Sequence, residues 1–135
     1  MVDKKHLKIY VSDAVAFLHY LLDDLPQESE DAFQSAENGD AIVYLPTIVA
    51  AELFYLFRKK RRMGMWSKFK NAMNDENNNF KYFPFDKDVL GAFERTKAKE
   101  IHDKIIISTA KVAKSDFLIT KDGDLVDIQE VKTLW

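Results

Sequence analysis

Residues 101–120 read IHDKIIISTAKVAKSDFLIT, and the fold follows from how this stretch divides. Its first part carries isoleucines and alanines at helical spacing, which predicts a helix over 101–114. The run DFLIT that follows predicts a strand over 116–120. A helix feeding directly into an apolar strand is the repeating unit of a parallel sheet. Beyond it, TKDGDL predicts a turn at 121–124 and a last strand at 128–134. Toward the N-terminus the pattern predicts a helix at 87–96, a strand at 80–85 and a polar loop at 74–79 (NDENNN). A helix at 65–73 comes next, divided by Gly64 from a long helix that opens at Pro46 and Thr47 and runs through Arg62. Before these lie a strand at 41–45 (AIVYL), a helix at 26–38, a helix at 14–22 and a strand at 8–12 (KIYVS). Strands that alternate with helices, and are apolar throughout, predict an α/β fold with a central parallel sheet covered on both faces, three layers in all.

A length of 135 residues predicts one domain spanning 1–135, and 47% hydrophobic with 31% charged residues excludes a disordered or fibrous chain. The absence of cysteine excludes disulfides, Cys-zinc sites and thiol chemistry, and suits a reducing cytoplasm, the expected location. No signal-peptide pattern opens the sequence. The most membrane-like stretch, 41–57, is shorter than a span and contains Pro46 and Glu52, so no membrane association is expected.

Carboxylates stand at four places where ordinary packing does not call for them. Asp13 directly follows the first strand, on a helical face with Ala16, Phe17 and Tyr20; it reads as an N-cap or as a site residue. Glu52 lies on an apolar stripe with Ile48, Val49, Tyr55 and Leu56. No Lys or Arg is near it in sequence, so it reaches solvent or takes a partner from elsewhere in the fold. Asp103 shares a face with Ile106, Ile107 and Ala110, in a first turn where the helix dipole favours an acid. Asp122 and Asp124 flank the Gly of an Asp-Gly turn signal. In a parallel sheet, Asp13 and Asp122 reach the same edge, and Glu52 and Asp103 sit near the starts of helices leaving it. Ligands in such sheets bind at that edge. Carboxylates converging there repel and raise one another's pKa, which is tolerable chiefly around a hard divalent cation; oxygen-only ligands favour Mg²⁺ or Mn²⁺. Such metals can activate water and stabilise a phosphodiester leaving group.

In this order the residues resemble the PIN domain family of metal-dependent ribonucleases, which includes the VapC-type toxins. The carriers are IYVSDAVAFL with Asp13, LPTIVAAELFYL with Glu52, IHDKIIISTAKVAKSDFLIT with Asp103, and TKDGDL with Asp122, from Ile9 to about Leu134. The resemblance implies a three-layer α/β/α fold and a Mg²⁺- or Mn²⁺-dependent endoribonuclease. Asp13, Glu52, Asp103 and Asp122 would be its catalytic and metal-holding residues, with Asp124 an auxiliary ligand and Thr120 and Ser12 supporting them. It also brings in a toxin role with an antitoxin protein as partner, and a homodimer. Relatives usually carry a hydroxyl residue just after the first Asp, whereas Ala14 stands there and Ser12 precedes. Lys121 stands where many relatives have Arg, and should serve a phosphate as a point charge.

The net charge of −2 hides two unlike halves: residues 1–57 carry 3 basic and 10 acidic groups, residues 58–135 carry 17 and 12. The basic segment Arg58, Lys59, Lys60, Arg61 and Arg62, with Lys68 and Lys70 after it, reads as a solvated helix end, an RNA-backbone contact or an antitoxin surface. Trp66 and Phe69 within it offer base stacking or packing. His6, His19 and His102 form no metal-spaced pair and read as surface or core-edge residues, although the place of His102 beside Asp103 allows it a supporting role there. The alternative to an enzyme is a PIN-fold module that binds RNA or protein without cutting. SDAVAF after the first strand excludes an Asp-x-Asp-x-Thr phosphatase, and the acidic positions do not match a receiver domain.

Overall fold

The computed structural model describes residues 7–135, so His6 lies outside the described residues. Five parallel strands form one sheet in the order β3-β2-β1-β4-β5. They are β1 (Lys8–Ser12), β2 (Ala41–Pro46), β3 (Phe80–Phe83), β4 (Phe117–Ile119) and β5 (Thr133–Leu134). Between them run α1 (Ala14–Leu21), α2 (Gln27–Glu37), α3 (Thr47–Lys59), α4 (Met63–Asn74), α5 (Lys87–Gly91), a 3₁₀ turn (Ala92–Arg95), α6 (Ile101–Val112) and α7 (Gly123–Ile128). Helices cover both faces, giving the three-layer α/β/α architecture with α1, α3 and α4 packed together and α5 against α6. No helix among the described residues is long and apolar enough to cross a membrane.

The chain moves outward from β1 to β2 and β3 on one side, then returns to add β4 and β5 on the other. The reversal falls between β1 and β4, whose carboxyl ends form the crevice where α/β sheets bind ligands. Val11, Val43, Leu45, Leu118 and Ile119 are fully buried, which explains the apolar centres of these strands. Phe17 of α1 anchors its helix to the core, with its ring 5.4 Å from Phe69, 5.7 Å from Phe33 and 5.8 Å from Phe80.

Several expected boundaries move, each for a local reason. The long third helix stops at Lys59, not Arg62, and Arg61 takes a left-handed φ of 56°. Residues 58–62 offer no apolar side chain to the core, and adjacent like charges weaken a helix. Gly64 therefore lies inside α4 and is not the break. The helix expected at 87–96 divides into α5 and the 3₁₀ turn. β3 ends before Pro84, which has no N–H for the ladder. The turn expected at 121–124 becomes the start of α7, because the Asp122 side chain caps it and Leu125 is buried beneath it. That helix consumes the first part of the expected last strand, leaving only Thr133–Leu134 paired with β4.

Candidate active site

Asp13 is the most constrained polar residue of the crevice. It leaves β1 as the N-cap of α1, 4% exposed, with Oδ1 accepting a 2.8 Å hydrogen bond from the Ala16 amide. Its Oδ2 accepts from Thr120 Oγ1 at the end of β4, and the same Thr120 oxygen accepts from the Asp122 amide at 3.0 Å. Thr120 thus couples the ends of the two strands that meet at the reversal. Burial raises the Asp13 pKa; the Thr120 and Ala16 hydrogen bonds and nearby His102 oppose this, while the Asp122 charge adds to it. The carboxylate is held in place where ionising it is costly. Ser12 is buried, and its hydroxyl donates to the Asp13 carbonyl at 3.0 Å, not to the carboxylate.

An open cleft of about 360 Å³ is lined by Asp13, Ala14, Val15, Glu52, His102, Lys121 and Asp122. Asp103 and Asp124 instead line a second cleft of about 330 Å³, with Glu100, Asp127, Lys97 and Lys99 around it. His102 meets a carboxylate of each. Its Nε2 lies 2.9 Å from Glu52 Oε1, and its Nδ1 lies 3.4 Å from Asp103 Oδ1. Glu52 takes its partner from α6, fifty residues on in sequence. The sequence allows His102 a supporting role beside Asp103 but does not demand one, and its contact with Glu52 is not legible there. The signal available was its place beside Asp103 in a first helical turn, together with an apolar-face Glu52 lacking a cationic neighbour.

The hydrogen bond that the His102 ring donates to Glu52 raises its pKa; burial opposes this, and the Glu52 and Asp103 charges add to it, leaving the ring at about 9. A group raised in the folded state stabilises fully below its unfolded value of 6.5 and loses that contribution as pH climbs through about 9. Thermal unfolding of the metal-free protein should therefore move to lower temperature across that interval, with the slope reduced in His102→Gln. An equal slope in the variant would contradict the assignment.

The donor chemistry suits a hard divalent ion, with carboxylate oxygens that no Lys or Arg pairs among the described residues. Among those residues, however, no three Asp, Glu or His side chains stand together as a ready ion cage. The donors fit the ion in kind, and His102 occupies the space between two of them.

The basic segment 58–62 is exposed and does not line the cleft. Lys59 lies seven residues after Glu52, so it projects from nearly the same side of α3, about 10 Å along the axis. Lys68 is engaged inside the molecule, donating to the Leu21 carbonyl at the end of α1. Phe69 is fully buried and Trp66 stacks on it at 4.9 Å, so both act in packing.

Solved structures share this architecture, three of them as follows. VapBC2 from Rickettsia felis, bound to a DNA fragment from their promoter, superposes with a TM-score of 0.74 at 16% identity, covering 93% of this chain and 97% of that one. FitAcB from Neisseria gonorrhoeae gives 0.68 at 18% identity, covering 93% and 96%. A toxin-antitoxin complex from Klebsiella pneumoniae gives 0.62 at 17%, covering 90% and 94%. At these identities the likeness is one of fold. No curated protein matches the chain at a significant level. The PIN domain family profile matches residues 10–131, running from the strand before Asp13 past the helix capped by Asp122. With that match over most of its length, the chain belongs to the PIN domain family, whose members are generally nucleases.

Proposed function

We propose that this chain is an endoribonuclease that hydrolyses RNA phosphodiester bonds, acting as the toxin of a toxin–antitoxin pair. The observation that carries the reading is Asp13: a buried carboxylate, fixed by Ala16 and Thr120, that folding alone would not favour. Asp13, Asp103 and Asp122, with Glu52 and the auxiliary Asp124, are the residues that would hold Mg²⁺ or Mn²⁺. Bound there, the ion offsets their charge and lowers the pKa of water. Thr120 fixes the Asp13 carboxylate, Glu52 orients the attacking water, and Lys121 at the cleft wall meets a phosphate. In-line attack breaks the P–O3′ bond and leaves a 5′-phosphate and a 3′-hydroxyl.

RNA cleavage by the purified protein with Mg²⁺ or Mn²⁺ tests this directly. Asp103→Asn and Asp122→Asn should each lower the rate about 10²-fold or more, as loss of a preorganised charge does. Wild-type rates in both variants would sink the nuclease reading and leave a PIN-fold binding module. The basic segment is proposed as a backbone contact, which a salt series checks. RNA affinity should fall steeply with ionic strength, and Lys59→Ala should weaken binding to all sequences while reducing the log–log salt slope by about 1. A flat salt response would remove the segment from the interface.

An antitoxin partner and a homodimer belong to the same reading. An apolar groove of about 440 Å³ between α1 and α3, with exposed Val15 and Tyr55 at its margin, supports a protein partner beside the cleft.

A further inference from the structure

Glu52 differs from the other carboxylates in what holds it. Asp13 is buried and fixed by a backbone amide and a strand-end hydroxyl. Asp122 accepts from the Asp124 amide at 2.9 Å as the cap of α7. Glu52, with its side chain 38% exposed, is held only by the ring of His102 among the described residues. That ring faces a carboxylate oxygen with each nitrogen, Glu52 on one side and Asp103 on the other. It lines the cleft of Asp13, Glu52 and Asp122, and its other nitrogen faces Asp103, which lines the second cleft.

We propose that His102 is a latch on this site: its ring occupies carboxylate oxygens that a divalent ion needs, and loading requires the ring to swing away. The inference rests on the metal-dependent reading above and deepens it. His102 is placed to move. Its side chain is 36% exposed, it lies in the first turn of α6, and its neighbour Ile101 is 70% exposed, so rotation about its own side-chain bonds leads into solvent. Departure of the ring frees Glu52 Oε1 and Asp103 Oδ1 without moving Asp13 or Asp122. The site thus separates a fixed half, built on the ends of β1 and β4, from a half that His102 opens or closes. His102 is a positioning residue: it acts through Glu52 and Asp103, not on the phosphodiester.

The test needs no RNA. Metal-stripped wild type, His102→Ala and His102→Asn are titrated with Mn²⁺, and the free ion is followed by electron paramagnetic resonance. Both variants should bind Mn²⁺ about tenfold more tightly than wild type, the factor expected when one charge-assisted hydrogen bond no longer competes. In the wild type, Mg²⁺ should shift the His102 ring nitrogen resonances as the bond to Glu52 breaks. Weaker Mn²⁺ binding in both variants would overturn the latch and make His102 a ligand, with the metal-dependent reading intact. Equal affinity, or ring resonances unmoved by Mg²⁺, would also overturn it. Failure of all three proteins to bind Mn²⁺ at millimolar concentration would overturn the metal-dependent reading itself.

Discussion

Asp13→Asn should cost about 10²–10³-fold in RNA cleavage while making the metal-free protein more stable. The two effects share one cause. Burial raises the Asp13 pKa above its unfolded value, so the folded protein holds this proton more tightly than the unfolded chain does. The stabilising contribution of such a group is present at low pH and is lost as pH rises through the folded value. At neutral pH the ionised carboxylate therefore works against folding. Asparagine keeps an oxygen for the Ala16 amide, so the cap of α1 survives, and removes the buried charge. A gain of about 1 kcal/mol is in the range of stabilising substitutions at active sites. Thermal unfolding and cleavage assays on the same preparation check both halves. A variant that loses stability would show that Asp13 serves the fold first, and one that keeps full activity would remove it from the site.

Phe17→Ala should lower stability by about 3–5 kcal/mol, the usual cost of truncating a fully buried aromatic residue. Phe17 is completely inaccessible, and its ring meets Tyr20, Phe33, Phe69 and Phe80 edge-on at 5.4–5.8 Å. It ties α1 to α2, α4 and β3, so its loss also loosens the helix that Asp13 caps. Urea unfolding should show a lower midpoint with an unchanged slope. Val15→Ala, two residues away at a position 42% exposed, should fall within about 0.5 kcal/mol of wild type. A loss below about 1 kcal/mol at Phe17 would mean that the core can collapse into the vacated space.

Much of the architecture was legible because local chemistry determines it. The β-branched and aromatic runs within KIYVS and AIVYL mark strands set in the core, and they form β1 and β2. The resemblance carried by four acidic segments pointed to the family that the profile match shows. Helical spacing extends through Arg62, but it says nothing about whether a face has a core to rest on, and α3 ends at Lys59. Asp-Gly at 122–123 signals a turn and suits a helix cap as well; burial of Leu125 decides for the helix.

By itself, the sequence determined most of the strands and helices, and that Asp13, Glu52 and Asp103 sit at or near the starts of helices, since periodicity and capping are local; the helix that Asp122 caps needed the burial of Leu125 to decide it. Only the tertiary structure decided which of them meet. The strand order β3-β2-β1-β4-β5 puts Thr120 against Asp13 across 107 positions, and the packing of α6 brings His102 to Glu52 across fifty. Such pairings come from burying the apolar faces of elements far apart in sequence, and no local pattern records them. The same packing separated Asp103 and Asp124 into a second cleft and set one imidazole against a carboxylate of each cleft.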